Sequence, residues 1–159
     1  MQLSIRKIQK NDNAILAAIV RDTLTEFGCN KPGTAFADPE TDLLFEQYAD
    51  SETLYLVALM NNRIVGGAGV GKLKNMDSLC ELQKMYLLPE ARGKGIAQLL
   101  LQLCIEFAKE KKYKSIYLES MPELKAAIKL YEKNGFKKLD APLSQTGHFT
   151  CNVWMLKEL

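Results

Sequence analysis

The stretch PEARGKGIA, residues 89–97, decides the fold. It follows an alternating apolar segment and precedes a long amphipathic one, so it joins a predicted strand to a predicted helix. Its two glycines permit left-handed backbone conformations, and Arg92 and Lys94 add positive charge. A helix N-terminus also presents unpaired amides and the positive end of the helix dipole. The pattern therefore indicates an anion-binding loop, with a plain basic turn as the competing interpretation.

The composition is that of one globular domain, which we predict to span residues 1–159. The net charge of +2 is too small to favour a nucleic-acid partner, and the basic run at 109–114 is typical of a solvated helix end. The N-terminus lacks the apolar core of a secretory signal, and no apolar run is long enough to span a membrane. We therefore predict a cytoplasmic protein that binds neither nucleic acid nor membrane.

The four cysteines form no C-x-x-C pair, and His148 is the only histidine in the sequence. Zinc sites usually combine several such ligands at short spacing. We therefore predict no metal site and four reduced, mostly buried thiols.

Hydrophobic periodicity divides the chain into alternating strands and helices. Strands are predicted at 3–8, 53–60, 64–73, 79–88, 115–120, 136–140 and 150–159, and helices at 11–28, 39–50, 95–112 and 122–135. This order predicts an α/β (α+β) domain. Its central sheet is mixed, mainly antiparallel and of six to seven strands, with one parallel crossover and about four flanking helices.

Two other glycine patterns fail as nucleotide-binding motifs. GGAGVGKL, residues 66–73, places Leu73 where a phosphate-binding loop needs a serine or threonine for magnesium. GKGIAQ, residues 93–98, has Gln98 where the dinucleotide fingerprint needs a third glycine. We expect the glycines of the first stretch to allow a bulge or a close backbone approach within a strand.

Two longer stretches carry a family resemblance. Residues 82–120, from LQKMYLL to IYLES, and residues 126–139, AAIKLYEKNGFKKL, resemble the two signatures of the GNAT superfamily of acetyl-CoA-dependent N-acetyltransferases. The predicted elements match that fold over residues 3–157. The resemblance implies a GNAT-like domain, acetyl-CoA as cosubstrate and no metal. Homodimers are common in the family, so a homodimer is one of the oligomeric states that the resemblance leaves open.

The resemblance assigns roles residue by residue. The strand end at Met85, Tyr86 and Leu87 aligns with the pantetheine arm of the cofactor, and Tyr131 protonates the departing thiolate. The pyrophosphate is held by the backbone of Arg92, Gly93, Lys94, Gly95, Ile96 and Ala97, and Asn134 lies near the far end of the cofactor. One position departs from the pattern, since Leu124 stands where many members have an asparagine that contacts the pantetheine.

The reaction itself requires a base, because an amine with a pKa near ~10.4 is almost fully protonated at neutral pH. Glu81, upstream on the cofactor strand, is our candidate, with Glu119, His148 or a water chain as alternatives. The sequence thus predicts direct acetyl transfer to a primary amine of a small molecule or peptide in a ternary complex. A non-catalytic CoA-binding regulatory module is the alternative. The acceptor is unidentified, and segments 24–50 and 140–150 are expected to build its pocket.

Overall fold

The computed structural model describes residues 1–159, which form seven strands and four α-helices. The strands are β1 (Leu3–Lys7), β2 (Leu54–Met60), β3 (Arg63–Lys72), β4 (Leu79–Leu87), β5 (Ser115–Ser120), β6 (Lys137–Leu139) and β7 (Val153–Glu158). The helices are α1 (Asn13–Glu26), α2 (Leu44–Gln47), α3 (Ile96–Glu110) and α4 (Lys125–Lys133). None of the helices combines the length and apolar character that crossing a bilayer requires.

All seven strands join one sheet in the order β1-β2-β3-β4-β5-β7-β6. Every neighbouring pair is antiparallel except β4 and β5, which are parallel and are connected through α3. The predicted mixed, mainly antiparallel sheet with one parallel crossover is therefore confirmed.

Two predicted helices are shorter than the sequence pattern indicated. The helix expected from residue 122 begins at Lys125, because residues 121–124 first form a turn in which the Leu124 amide donates to the Met121 carbonyl at 3.0 Å. This turn places the Met121 side chain in a small apolar cluster. The helix expected at 39–50 splits into a 3-10 turn, Pro39–Asp42, and the single turn of α2.

Apolar side chains cover both faces of the sheet. Helices α3 and α4 pack on one face, where Leu100, Cys104 and Ile128 join the largest cluster of buried side chains. Helix α1 covers the other face through two smaller clusters, one around Val20 and one around Leu16. Burial on both faces explains the nearly continuous apolar character of the central strands.

Strands β4 and β5 separate before they end. Their pairing runs from Leu79 opposite Ser115 to Glu81 opposite Tyr117 and then stops. Beyond that point the register of β4 against β3 shifts, and Lys84 adopts a left-handed φ of 48°. This irregularity bends β4 away from β5, because an extra residue in one strand breaks the ladder. A gap therefore lies between the two strands, and it opens at the N-terminal end of α3.

The glycines of β3 give room to side chains from neighbouring strands. A Cβ on Gly69 would lie 2.7 Å from the ring of Tyr55 and 3.0 Å from that of Tyr48. A Cβ on Gly71 would overlap the amide of Gln83. The close approach expected for this glycine-rich stretch is therefore observed, and its neighbours are aromatic rings and an amide rather than a nucleotide phosphate.

Candidate active site

A cleft of about 360 Å³ fills the gap between β4 and β5. Its walls come from the ends of both strands, the loop before α3, the first turns of α3 and α4, and the last turns of α1. Eight of the ten predicted cofactor-binding residues line it, together with Tyr131, and the two that do not are Lys94 and Asn134. The eight are Met85, Tyr86, Leu87, Arg92, Ile96 and Ala97, with Gly93 and Gly95 supplying backbone.

The loop at the mouth of the cleft presents free amides. The Arg92 amide is used within the loop, where it donates to the Pro89 carbonyl at 3.2 Å. No amide from Gly93 to Ala97 donates to a backbone or side-chain acceptor, and the start of α3 has no side-chain cap. Gly93 and Gly95 have φ of 71° and 78°, a region that other residues reach only with strain. This is the backbone geometry of an anion cradle.

The two cations of the loop are placed differently. Lys94 is exposed at the tip and does not line the cleft. The Arg92 guanidinium instead binds Glu26 at the end of α1, with a closest distance of 2.6 Å, and donates to the Leu87 carbonyl at 3.1 Å. It also lies 5.3 Å from the ring centroid of Phe27. Arg92 therefore joins α1, β4 and the loop.

Two predicted residues of the second signature lie on α4. Tyr131 is 6% exposed, packs against Phe136 and lines the cleft, and its hydroxyl has no hydrogen-bond partner. Burial raises the pKa of Tyr131, so the hydroxyl is protonated. Asn134 exchanges two hydrogen bonds of 2.8 Å with Gln98 of α3. Its amide thus links the two helices beside the cleft.

A smaller cavity of about 50 Å³ adjoins the cleft on the side of Ala35 and His148, which belong to the two segments expected to build the acceptor pocket. The two cavities share wall residues of β4 and β5, including Lys84, Tyr86 and Glu119. All three base candidates line the smaller cavity. The structure therefore brings Glu81, Glu119 and His148 together from three separate parts of the chain.

Glu81 is 5% exposed, and burial raises the pKa of its carboxyl to about 7. Its Oε1 accepts a hydrogen bond of 2.6 Å from Gln83, whose own Oε1 accepts one of 2.5 Å from the Tyr48 hydroxyl. A relay of three side chains thus orients the carboxylate. A carboxyl with this pKa exchanges its proton near neutral pH.

The other two base candidates are occupied by strong partners. Glu119 accepts hydrogen bonds from the hydroxyls of Tyr117, at 2.7 Å, and Thr146. His148 Nε2 lies 2.5 Å from Asp38, and this hydrogen bond raises the pKa of His148. Burial opposes ionisation of Asp38, but the hydrogen bond and charge of His148 outweigh it and lower the pKa of Asp38. His148 therefore holds its proton more tightly than an ordinary imidazole, so less of it is in the free-base form that could accept a proton from the amine.

Lys84 is a site residue that sequence reasoning missed. It is 8% exposed and lines both cavities, yet its ammonium has no hydrogen bond and no carboxylate within 4.0 Å. Burial lowers its pKa. The only signal in the sequence is the adjacent polar pair Gln83-Lys84, since the alternation of β4 would place an apolar residue at position 84, and this break coincides with the bulge.

The sequence model of the acetyltransferase (GNAT) family matches residues 17–136. The chain belongs to this family. An uncharacterised N-acetyltransferase of Escherichia coli K12, YjgM, is 41% identical over 157 residues, which cover 98% of this chain and 94% of that protein. This GNAT protein is therefore an N-acetyltransferase, and the predicted family is confirmed.

Solved structures agree on the fold. A GNAT acetyltransferase of Staphylococcus aureus Mu50 superposes with a TM-score of 0.87 at 23% identity and covers 99% of both chains. The PaiA N-acetyltransferase of Thermoplasma acidophilum, solved in complex with coenzyme A, has a TM-score of 0.72 at 22% identity and covers 100% of both chains. The predicted GNAT-like α/β domain is thus confirmed, and GNAT proteins of this fold bind CoA.

Proposed function

We propose that the protein transfers the acetyl group of acetyl-CoA directly to a primary amine of a small molecule or peptide, with donor and acceptor bound together. The observation that carries the proposal is the pair of adjoining cavities. One is lined by a free-amide loop and an unpaired tyrosine hydroxyl, and the other by a carboxyl whose pKa is about 7. Acetyl transfer to an amine needs an anion-binding loop and a hydrogen-bond donor on the CoA side of the thioester, and a base on the side from which the amine approaches.

The donor occupies the larger cleft in this proposal. The amides from Gly93 to Ala97 hold the pyrophosphate, and the gap between β4 and β5 receives the pantetheine arm along Met85, Tyr86 and Leu87 as an added strand. Backbone amides of the same strand stabilise the oxyanion. Asn134 and Gln98 border the exit of the cofactor, and Leu124 gives an apolar wall where many family members have an amide.

Glu81 removes the amine proton in our proposal, either directly or through water. Its pKa near 7 leaves a large fraction ionised at neutral pH, where a protonated acceptor amine must lose its proton. Glu119 accepts hydrogen bonds from two hydroxyls and His148 is paired with a carboxylate, whereas the only hydrogen bond to Glu81 comes from the neutral amide of Gln83. Glu81 is therefore our choice among the three for the group that exchanges the proton.

Tyr131 assists the departing thiolate. A free thiol has a pKa near ~8.5 and a tyrosine near ~10, so full proton transfer from Tyr131 is uphill and a strong hydrogen bond to the developing negative sulfur is the main contribution. The hydroxyl is available for this task, because nothing in the protein accepts its proton.

A covalent route through Cys80 is disfavoured by its surroundings. The thiol is fully buried, and burial raises its pKa to about 12, so the nucleophilic thiolate is scarce. The cytoplasmic location stays our prediction. The oligomeric state is open, and light scattering would show whether the protein is a homodimer.

The test combines calorimetry with a turnover assay. We expect saturable acetyl-CoA binding, thiol release that depends on an added amine, and intersecting rather than parallel lines when both substrates are varied. Cys80→Ala should keep full activity. Binding without turnover over a broad amine panel would favour a regulatory CoA-binding module, and a lack of acetyl-CoA binding would overturn the donor assignment.

A further inference from the structure

Lys84 is the one cationic side chain of the smaller cavity that the protein leaves without a partner. The other charged side chains of the smaller cavity are all engaged. Glu81 binds Gln83, Glu119 binds Tyr117 and Thr146, and Asp38 binds His148. No carboxylate lies within 4.0 Å of the Lys84 ammonium, although Asp38, Glu40 and Glu81 are near enough to influence it.

The ammonium points into open space rather than into the core. Lys84 lines both cavities, and Oε1 of Gln47 is the only polar side-chain atom that is sealed from solvent without a hydrogen bond. The Lys84 ammonium therefore keeps access to the cavities, although only 8% of the residue surface is exposed. A largely desolvated ammonium without a counter-ion is costly, and an anionic ligand removes that cost.

The backbone fixes this placement. Lys84 has a φ of 48°, which is uncommon for a residue with a side chain, and its carbonyl accepts a hydrogen bond of 2.8 Å from the buried Tyr55 hydroxyl. The left-handed residue interrupts the alternation of β4, so that Lys84 faces the cavities together with Glu81. The strand thus carries a carboxylate and an ammonium three positions apart at the junction of the two cavities.

We infer that Lys84 binds a carboxylate of the acceptor, and that the acceptor is therefore an amino acid or another small amine bearing a carboxylate. The inference rests on the proposed function and names its substrate class. A carboxylate on Lys84 would place the neighbouring amine beside Glu81. A polyamine would instead bring further positive charge toward the Lys84 ammonium. A simple alkylamine would bring no negative group to pair with it.

The experiment compares α-amino acids with their α-amides, which keep the amine and side chain but lose the carboxylate. Initial rates of thiol release at saturating acetyl-CoA should give kcat/KM at least about tenfold higher for the best acids than for their amides, the effect of one charge-assisted contact. Lys84→Met, which keeps length and apolar contacts, should bring that ratio close to one by raising KM for the acid. Lys74→Met, an exposed lysine outside both cavities, is the control and should leave the ratio unchanged.

Three outcomes would overturn the inference while leaving acetyl transfer intact. They are equal rates for acids and amides in the unchanged protein, an unchanged ratio in Lys84→Met, and an equal loss for acids and amides in that variant. The last result would place Lys84 in the chemical step or in donor binding. CoA affinity and the melting temperature of Lys84→Met verify that the variant is folded.

A second measurement tests the carboxylate site even if the proposed acetyl transfer fails. If no amine is acetylated, the CoA-saturated protein is titrated with the same acids and amides while the ring resonances of its single histidine, His148, are followed by NMR. Shifts caused by acids, absent with amides and absent in Lys84→Met, would support the carboxylate site without turnover. No difference between acids and amides in this titration would refute it.

Discussion

Nε2 of His148 lies 2.5 Å from Oδ2 of Asp38, although 110 positions separate the two residues in the sequence. The contact joins the loop before β7 to the segment between α1 and α2, and it holds His148 against the smaller cavity, which His148 lines. It also favours the protonated form of His148, because the hydrogen bond that the ring donates to Asp38 raises the pKa of His148 above its ordinary 6.5.

Removal of the Asp38 charge should lower the pKa of His148. Since the protein has one histidine, an NMR pH titration of Asp38→Asn reads this pKa from a single ring resonance. Asp77→Asn, at an exposed position outside the site, is the matched control and should leave the pKa unchanged. The folded state binds this proton more tightly than the unfolded chain. The stabilisation is therefore fully present below pH ~6.5 and is lost as the pH rises through the raised pKa.

Glu81→Gln should reduce kcat by roughly 10²–10⁴, the usual contribution of a general base. In the unchanged enzyme, kcat/KM should rise with pH through about 7, because Glu81 must lose its proton before it can accept one. Burial raises this pKa most and the hydrogen bond from Gln83 opposes it, while the charges of Glu119, His148 and Lys84 have smaller effects. The rising limb should disappear in Glu81→Gln and persist in His148→Gln. If the rising limb persists in Glu81→Gln, a group other than Glu81 is the base.

Tyr131→Phe should lower kcat by roughly tenfold or more while leaving acetyl-CoA affinity and stability nearly unchanged. The hydroxyl has no partner in the protein, so its removal orphans no buried group, and the ring keeps its contact with Phe136. Calorimetry measures the acetyl-CoA affinity and thermal unfolding measures the stability. An unchanged kcat would exclude a role for the hydroxyl in thiolate departure.

Gly95→Ala should weaken CoA binding, because φ of 78° costs a residue with a Cβ roughly 1–2 kcal/mol and the loop will relax away from the cradle conformation. A loss of roughly 5–30-fold corresponds to that energy. Pantetheine, which lacks the pyrophosphate, should bind equally well before and after the change. Gly147→Ala is the matched control, since φ is 84° there and its Cβ also meets open space, but it lies outside the cleft. Equal losses for CoA and pantetheine would contradict a pyrophosphate role.

Gly71→Ala tests the relay behind Glu81. The added Cβ would overlap the Gln83 amide, which must move and release the Glu81 carboxylate. We expect a loss of roughly 1–3 kcal/mol in unfolding free energy, as for other overpacked sites. The rising limb of the pH profile should also shift upward, because the hydrogen bond from Gln83 lowers the pKa of Glu81. Denaturant unfolding and rate profiles measure the two effects, and an unchanged limb would exclude Gln83 as an orienting group.

The sequence predicted the elements whose determinants are local. Period-2 and period-3.6 patterns identified the strands and helices, and the glycines of residues 89–97 marked the left-handed turns before α3. Helix starts were less certain, because Pro122 suits a first helical turn as well as the turn that the structure forms there. The split of 39–50 had the same cause, since apolar spacing does not reveal where a short helix breaks.

By itself, then, the sequence determined the order of the strands and helices, the loop that begins α3 and the family, because backbone conformation and hydrophobic periodicity are encoded in neighbouring residues. Only the tertiary structure decided the chemistry of the site. The folded structure pairs Arg92 with Glu26, His148 with Asp38 and Asn134 with Gln98, and it leaves Lys84 without a partner. It also buried Glu81 deeply enough to raise its pKa to about 7. Such pairings and pKa shifts depend on short distances between segments far apart in the chain and on the exclusion of water. Both conditions exist only in the folded protein.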